Sequence, residues 1–387
     1  MRLNTLFLKK LFVLSLIFAF VAGINKTAQA NSEHNETGLK DSAHVTEAHV
    51  EDEAHGAGHE EKKPFEPTKV IMEHIGDSHD WHLWGHTSIG LPVILKTDAG
   101  LVIFNSSEFH HDQEGKHVVE KDGQKFVRFE NKIYYASESA TEEGQYVTLE
   151  GEHATNAKPL DFSITKNVAS MFLSAIILCL IFFSVAGAYK KREGKAPKGF
   201  QSLIEPIIVF VRDEIARPNI GHKYVAYMPF LLTVFFFIWI NNLIGLIPIF
   251  PGGANLTGNI AVTLVLGTIT FLVTNFSGNK YYWKHVLAPD VPWWLYPIML
   301  VVEIIGLLSK PFALIIRLFA NITAGHIIVL SLISLIFIFQ TLYIAPVSVA
   351  FVLFMDVLEL LVAFLQAFIF TMLTALFIGT AVEEHHH

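Results

Sequence analysis

The sequence predicts an all-α polytopic membrane protein of about five spans, the last two long and strongly tilted, preceded by a small β-rich N-terminal domain. Three observations predict it. Residues 167–387 form a series of long apolar runs with few charges. Such runs exceed the roughly 20 residues a helix needs to cross a bilayer. Residues 31–166 carry most of the acidic residues and most of the histidines. Within them, short β-branched runs alternate with turn-forming clusters. The 387 residues are 52 % hydrophobic and 17 % charged, a mean that hides these two unlike parts. The net charge of −8 arises in the N-terminal part, so nothing points to nucleic acid. A lone Cys179 excludes an intrachain disulfide.

Residues 1–30 read as a secretory signal peptide. Arg2, Lys9 and Lys10 precede the apolar core LFVLSLIFAFVAG, which ends near AQA. The competing reading is a retained anchor, for which a core of about 14 residues is short. Cleavage after Ala30 puts the mature N-terminus outside the cytoplasm. Residues 31–63, with HVTEAHVEDEAHGAGHEEKK, are predicted to be a disordered His/Glu-rich tail. They lack the apolar surface that offsets ordering entropy.

Residues 64–166 read as a small periplasmic β-rich domain. TSIGLPVILKTDAGLVIF places two strands about a TDAG turn, and HVVEKDGQKFVRFENKIYYA places further strands about KDGQ. The cluster HIGDSHDWHLWGH offers His74, His79, His82 and His86 as weak metal-ligand candidates, beside Asp77 and Asp80. Ordinary surface histidines of a β domain are the preferred reading.

Val168–Tyr189 is the first span. KKREGKAPK follows, and Arg212, Arg217 and Lys223 extend the basic stretch, which the positive-inside rule assigns to the cytoplasm. GFQSLIEPIIVFVRDEIA has an apolar stripe and mixed charge, as in a helix lying at the membrane surface. Val225–Phe250 is the second span, interrupted by Asn241 and Asn242, and Ile260–Phe276 returns inward to Lys280 and Lys284. Residues 291–339 and 344–382 are each longer than an upright helix requires. Splitting the first of them at Pro311 gives six spans. One tilted helix kinked near Pro311 gives five and a cytoplasmic C-terminus, the reading preferred here.

These last runs carry Glu303, Lys310, Arg317, His326, Asp356 and Glu359, with neutral Asn321 and Gln366. Charge at membrane depth is costly and marks function by default. At about 100° per residue, Ala313, Arg317, Ala320, Asn321 and Ala324 form one narrow stripe. Small residues in such a stripe admit a close helix. Asp356, Glu359, Ala363 and Gln366 share a face of the last helix. Antiparallel packing of the two helices brings His326 beside Glu359, an imidazole–carboxylate pair suited to relaying protons. Arg317 stays charged and cannot relay one. It can hold a carboxylate on a moving partner ionised, or it can form a structural ion pair with Asp356 or Glu359.

LLSKPFALIIRLFANITAGH, LLVAFLQAFIFTMLTALF and NNLIGLIPIFPGGANLTGNIAVTLVLG resemble subunit a of the F-type ATP synthase, over about residues 168–387. The resemblance implies a proton-translocating stator subunit, non-catalytic alone and without a cofactor. It implies a bacterial inner membrane location. Its implied partners are the c-subunit ring, the subunit b peripheral stalk, the other ATP synthase subunits and the lipid membrane. It implies that Arg317 faces the ring carboxylate and separates two half-channels, with Asn321 one turn on and Gln366 on the last helix. Glu303 then belongs to the cytoplasmic half-channel, and His326 with Glu359 to the outward one. The commonest bacterial pattern has Glu and His exchanged at these two positions. Asp356 is an additional carboxylate, and the 31–166 region is a further departure. The rival class is an ion-coupled secondary transporter with a mid-membrane polar site, which would show two related halves. A sensor with anchoring helices is a third class.

Overall fold

The computed structural model describes residues 67–84, 87–151, 153–247, 252–288, 291–341 and 343–383. The expected signal peptide and His/Glu-rich tail, together with His86 and the side chain of His82, lie outside the described residues.

The β-rich region begins with helix α1 (Pro67–Ile75) and continues through ten short strands. Strands β3 (Pro92–Thr97) and β4 (Gly100–Asn105) form the predicted hairpin, joined at its far edge by β10 (Leu160–Asp161). Strands β5 (Glu114–Lys121), β6 (Gln124–Phe129) and β7 (Lys132–Tyr135) form a second antiparallel sheet. Asp122 and Gly123 both have positive φ, the backbone that a tight two-residue hairpin demands. Glu130 and Asn131 turn β6 into β7 in the same way. Val93, Leu95, Phe104, Phe109, Phe126 and Ile133 close one core.

Two of the candidate metal ligands are used differently. His79 is not a surface histidine: it is 3 % exposed, and its Nε2 lies 2.9 Å from Asp161 Oδ2. Burial pushes the Asp161 carboxyl up, but the hydrogen bonds and charge of His79 and Ser163 outweigh it and hold the group at about 2. Asp80, on β1 (Asp80–Trp84), accepts from Arg128 Nη1 at 2.5 Å. Burial raises its carboxyl too, and Arg128 and the Ser106 hydroxyl bring it below the usual carboxylate range. Asp77 accepts from the Asn167 amide and the Thr165 hydroxyl. Among the described residues no group of three or more His, Cys, Asp or Glu has metal-holding geometry.

Five long apolar helical stretches follow. The first is α2 (Lys166–Lys191). The second runs through α3 (Phe200–Phe210), a π-helical turn (Val211–Ala216), α4 (Arg217–Ile220) and α5 (Tyr224–Leu246). The third is α6 (Ile260–Ser277), and α7 (Lys280–Leu287) is a short connector. The last two are α8 (Tyr296–Phe339) and α9 (Ala345–Val382). Helix α8 continues through Pro311, so this segment contributes one span rather than two.

The stripe on 199–216, expected to lie on lipid, meets protein instead. Ile204, Ile208, Val211 and Ile215 are buried, and α3 and the π turn pack on α2, α5 and α9. An apolar stripe is satisfied equally well by neighbouring helices, and pattern alone does not distinguish the two. Asn241 and Asn242 do not interrupt α5. Asn241 donates back to the Phe237 carbonyl, and Asn242 donates to the Ala363 carbonyl of α9 at 3.1 Å. Phe235, Phe236, Leu231, Leu314, Leu318 and Phe370 centre the bundle core. The Ser348 hydroxyl bonds the Leu332 carbonyl and ties the α8–α9 hairpin. Asn279 bonds the Ala381 carbonyl at the opposite end.

Candidate functional site

The site lies where α8 crosses α5 and α9. Leu314, Ile315, Leu318 and Ile322 face the core, which turns the opposite side of α8 outward. Ala313, Arg317, Ala320, Asn321 and Ala324 are all exposed on that side. They are the five residues the helical spacing groups together. Arg317 forms no ion pair among the described residues, so the structural-pair alternative with Asp356 or Glu359 finds no support. A guanidinium on an apolar helix, flanked by alanines, is held open to whatever covers that stripe.

His326 and Glu359 line one cleft of about 230 Å³ with Asn242, Leu246, Asn321, Ile322 and Val362. The antiparallel hairpin brings them together as the spacing requires, without a direct ion pair. Glu359, Ala363 and Gln366 are buried on one face of α9. Asp356, expected on that face, is exposed at its rim, one turn from Glu359. Glu359 Oε1 has no hydrogen-bond partner among the described residues. Asn242 accepts from Thr257 Oγ1 at 2.6 Å, which fixes the amide at the cleft wall.

Two glycines make this arrangement possible, and sequence reasoning missed both. A Cβ on Gly325 would overlap the Glu359 carboxylate. A Cβ on Gly245 would lie 3.8 Å from His326 Nε2 and 3.3 Å from the Ala254 carbonyl. The close approach of α8 to α9 therefore depends on the missing side chain at Gly325, and that of α5 to its following loop on the one missing at Gly245.

A second cleft, of about 310 Å³, lies on the other side of Arg317 along α8. Thr270, Asn275, Tyr282, Lys310 and Thr380 supply its polar lining. Tyr282 Oη bonds Asn275 Oδ1 at 3.2 Å, and the Lys310 ammonium lies over the Phe377 ring. Burial raises the Tyr282 phenol, and the nearby Glu303 carboxylate adds to the effect. Glu303 is one turn from this cleft and 3.9 Å from His285 Nδ1 on α7. His285 carried no sequence signal, because it falls in a short connector among basic residues. Lys310 and His326 are 16 residues apart, about 24 Å along a straight helix. Arg317 stands between them.

The fold and site define a multi-pass helical membrane protein with polar clefts on either side of an exposed arginine. The family model for the ATP synthase A chain matches residues 168–379. A second model, for a domain of unknown function (DUF8433), matches residues 70–162. ATP synthase subunit a of Chloroherpeton thalassium is 53 % identical over 234 residues, 59 % of this chain and 69 % of that one. ATP synthase subunit a 2 of Chlorobaculum tepidum is 50 % identical over 231 residues, 58 % of this chain and 64 % of that one. ATP synthase subunit a 2 of Chlorobium luteolum is 49 % identical over 242 residues, 59 % of this chain and 70 % of that one. The chain thus spans just under two thirds of one of these relatives and slightly more of the other two. The chain belongs to the ATP synthase A chain family, with an additional N-terminal domain. Membership supports a proton-translocating subunit that works in a complex with other ATP synthase subunits, and the transporter alternative is not favoured.

Proposed function

We propose that this chain carries protons between two half-channels and the carboxylates of a rotating c-subunit ring. The exposure of Arg317 on a small-residue stripe, with no ion-pair partner among the described residues, is the observation that carries the reading. A ring helix covering the stripe brings its carboxylate to the guanidinium. Arg317 holds that carboxylate ionised, and because it keeps its own proton it blocks a direct leak.

Protons reach the ring from the outer side through the cleft of His326 and Glu359. Each side chain both accepts and releases a proton, so either can pass it on. After rotation the proton leaves through the second cleft, past Glu303. Asn321 and Gln366 supply neutral donors and acceptors beside the path. Asp356, at the rim, widens the polar mouth.

The 44 residues of α8 reach about 66 Å at 1.5 Å per residue, roughly twice the hydrocarbon thickness. A strong tilt of α8 and α9 accommodates that length. The basic connections place α7 in the cytoplasm, the N-terminal domain in the periplasm and the C-terminus in the cytoplasm of a bacterial inner membrane. Residues 1–30 are then a cleaved signal peptide, 31–63 a tail, 64–166 the periplasmic domain and 167–387 the membrane domain. The peripheral stalk subunit b is the expected stator partner.

Affinity purification from native membranes in mild detergent tests this reading. A c-ring, a peripheral stalk and an ATPase head are expected to come with the chain. Recovery as a lone oligomer that transports ions without them would sink it.

A further inference from the structure

The N-terminal domain is fastened to the membrane helices at three places. Asp77 holds the Asn167 amide and the Thr165 hydroxyl at the start of α2. Trp81 Nε1 donates to the Gly252 carbonyl at 3.2 Å, in the loop joining α5 to α6. Helix α1 packs against α8. That loop also bonds Asn242 through Thr257, so the domain grips the wall of the His326–Glu359 cleft.

A lysine and a histidine stand at the junction. Lys166, only 9 % exposed, lies with its ammonium 3.4 Å from the His74 carbonyl. Both His74 and Lys166 are within electrostatic reach of His326. Among the described residues Glu359 of α9 lines the same cleft as His326, and Asp356 of α9 is within electrostatic reach of Glu359. Among the described residues, helix α5 and its loop present neutral groups there, Asn242, Gly245 and the Ala254 carbonyl. Asn167 Oδ1 and Ser170 Oγ on α2, Asn255 Nδ2 on the loop and Glu359 Oε1 in the cleft are buried polar atoms without partners among the described residues. A dry interior penalises such atoms, whereas a hydrated path satisfies them.

We propose that the N-terminal domain walls the outer inlet to the His326–Glu359 cleft, with His74 and Lys166 at its mouth as positioning residues that act through His326. This rests on the proton path proposed above. The ligand is the proton itself, arriving through water. A charged Lys166 ammonium at the mouth opposes the arrival of a second cation, and His74 adds to that opposition when it is protonated. The domain thereby sets how acidic the outer side must be for proton uptake.

The test uses the assembled enzyme in respiring spheroplasts, in a Cys179→Ser background. His74→Cys and Leu101→Cys, the latter exposed on β4, are each treated from outside with a membrane-impermeant trimethylammonium thiosulfonate. ATP synthesis is expected to fall several-fold on labelling His74→Cys and to persist on equal labelling of Leu101→Cys. Complete labelling of His74→Cys without loss overturns the proposal, and so does failure of the external reagent to reach it. The second readout is the outer-pH profile of synthesis. Lys166→Met is expected to move it to higher pH, and Lys166→Arg to restore it. A purely structural lysine would lower the rate at every pH without moving the profile. Arg317→Ala serves as the separating control. Retained coupling there defeats the underlying proton path, whereas lost coupling with an insensitive His74→Cys defeats only the inlet.

Discussion

Inverted vesicles carrying Arg317→Ala are expected to lose ATP-driven acidification, with the complex still assembled. The reason is the exposure of this guanidinium and its lack of an ion-pair partner among the described residues. At a partly screened site, one close charge pair is worth about 4 kcal/mol, or roughly a thousandfold in an equilibrium. A ring carboxylate deprived of it keeps its proton and carries it past the stator without transfer. Loss of at least about a hundredfold in coupled pumping follows from that magnitude. Arg317→Lys keeps the charge but not the planar fork, and it deprotonates more readily, so it should restore only part of the activity. Normal pumping by the alanine variant in an intact complex would reduce Arg317 to an incidental surface charge.

The second large effect is expected at Glu359. It is the buried carboxylate of the first cleft, with one oxygen unpartnered, facing His326 across a small space. Glu359→Gln keeps the shape and removes the proton-carrying group. Proton transport is expected to fall at least about a hundredfold, the lower end of what a positioned acid–base group contributes. Gly325→Ala should reach a similar state by a steric route, because its Cβ would occupy the place of the carboxylate. Overpacking of this kind costs about 1–3 kcal/mol, which the side chain escapes by swinging out of the cleft. The double exchange His326→Glu with Glu359→His keeps one acid and one imidazole in the same cleft. It should transport better than either single exchange. Equal loss in all three variants would contradict a relay and favour a purely structural pair.

The stripe around Arg317 was legible because helical periodicity is a strong signal. Alanines at 313, 320 and 324 with Asn321 can only fall on one side of a continuous helix. The pairing of His326 with Glu359 was legible for the same reason, once two long helices are set antiparallel. The β-rich domain announced itself through its turns, and Asp122-Gly123 adopts the backbone that the residues demand. Other features had no local signal. The second cleft draws Thr270, Asn275, Tyr282 and Thr380 from three helices, and each is an ordinary polar residue in its own segment. Gly325 and Gly245 act by what they lack. Asn242 looked like a helix interruption but is a cross-link to α9. His79 and Asp80 belonged to a weak metal-ligand cluster, yet each is committed to a hydrogen-bonded partner, 82 and 48 residues away in sequence. Such pairings are set by the tertiary fold, and no spacing rule predicts them.

The central claim is that the Arg317 stripe is the surface on which the ring turns. Disulfide formation in the assembled complex tests it most directly, in a Cys179→Ser background. One cysteine replaces Asn321, one turn from Arg317. A control cysteine replaces Phe312, also exposed on α8 but about 140° away around the helix. The partner cysteine lies one turn from the membrane carboxylate of the ring subunit. A high-yield cross-link from Asn321→Cys, with none from Phe312→Cys, is the predicted result. A cross-link from Phe312→Cys with Asn321→Cys unreactive would put the ring on another face and contradict the role assigned to Arg317.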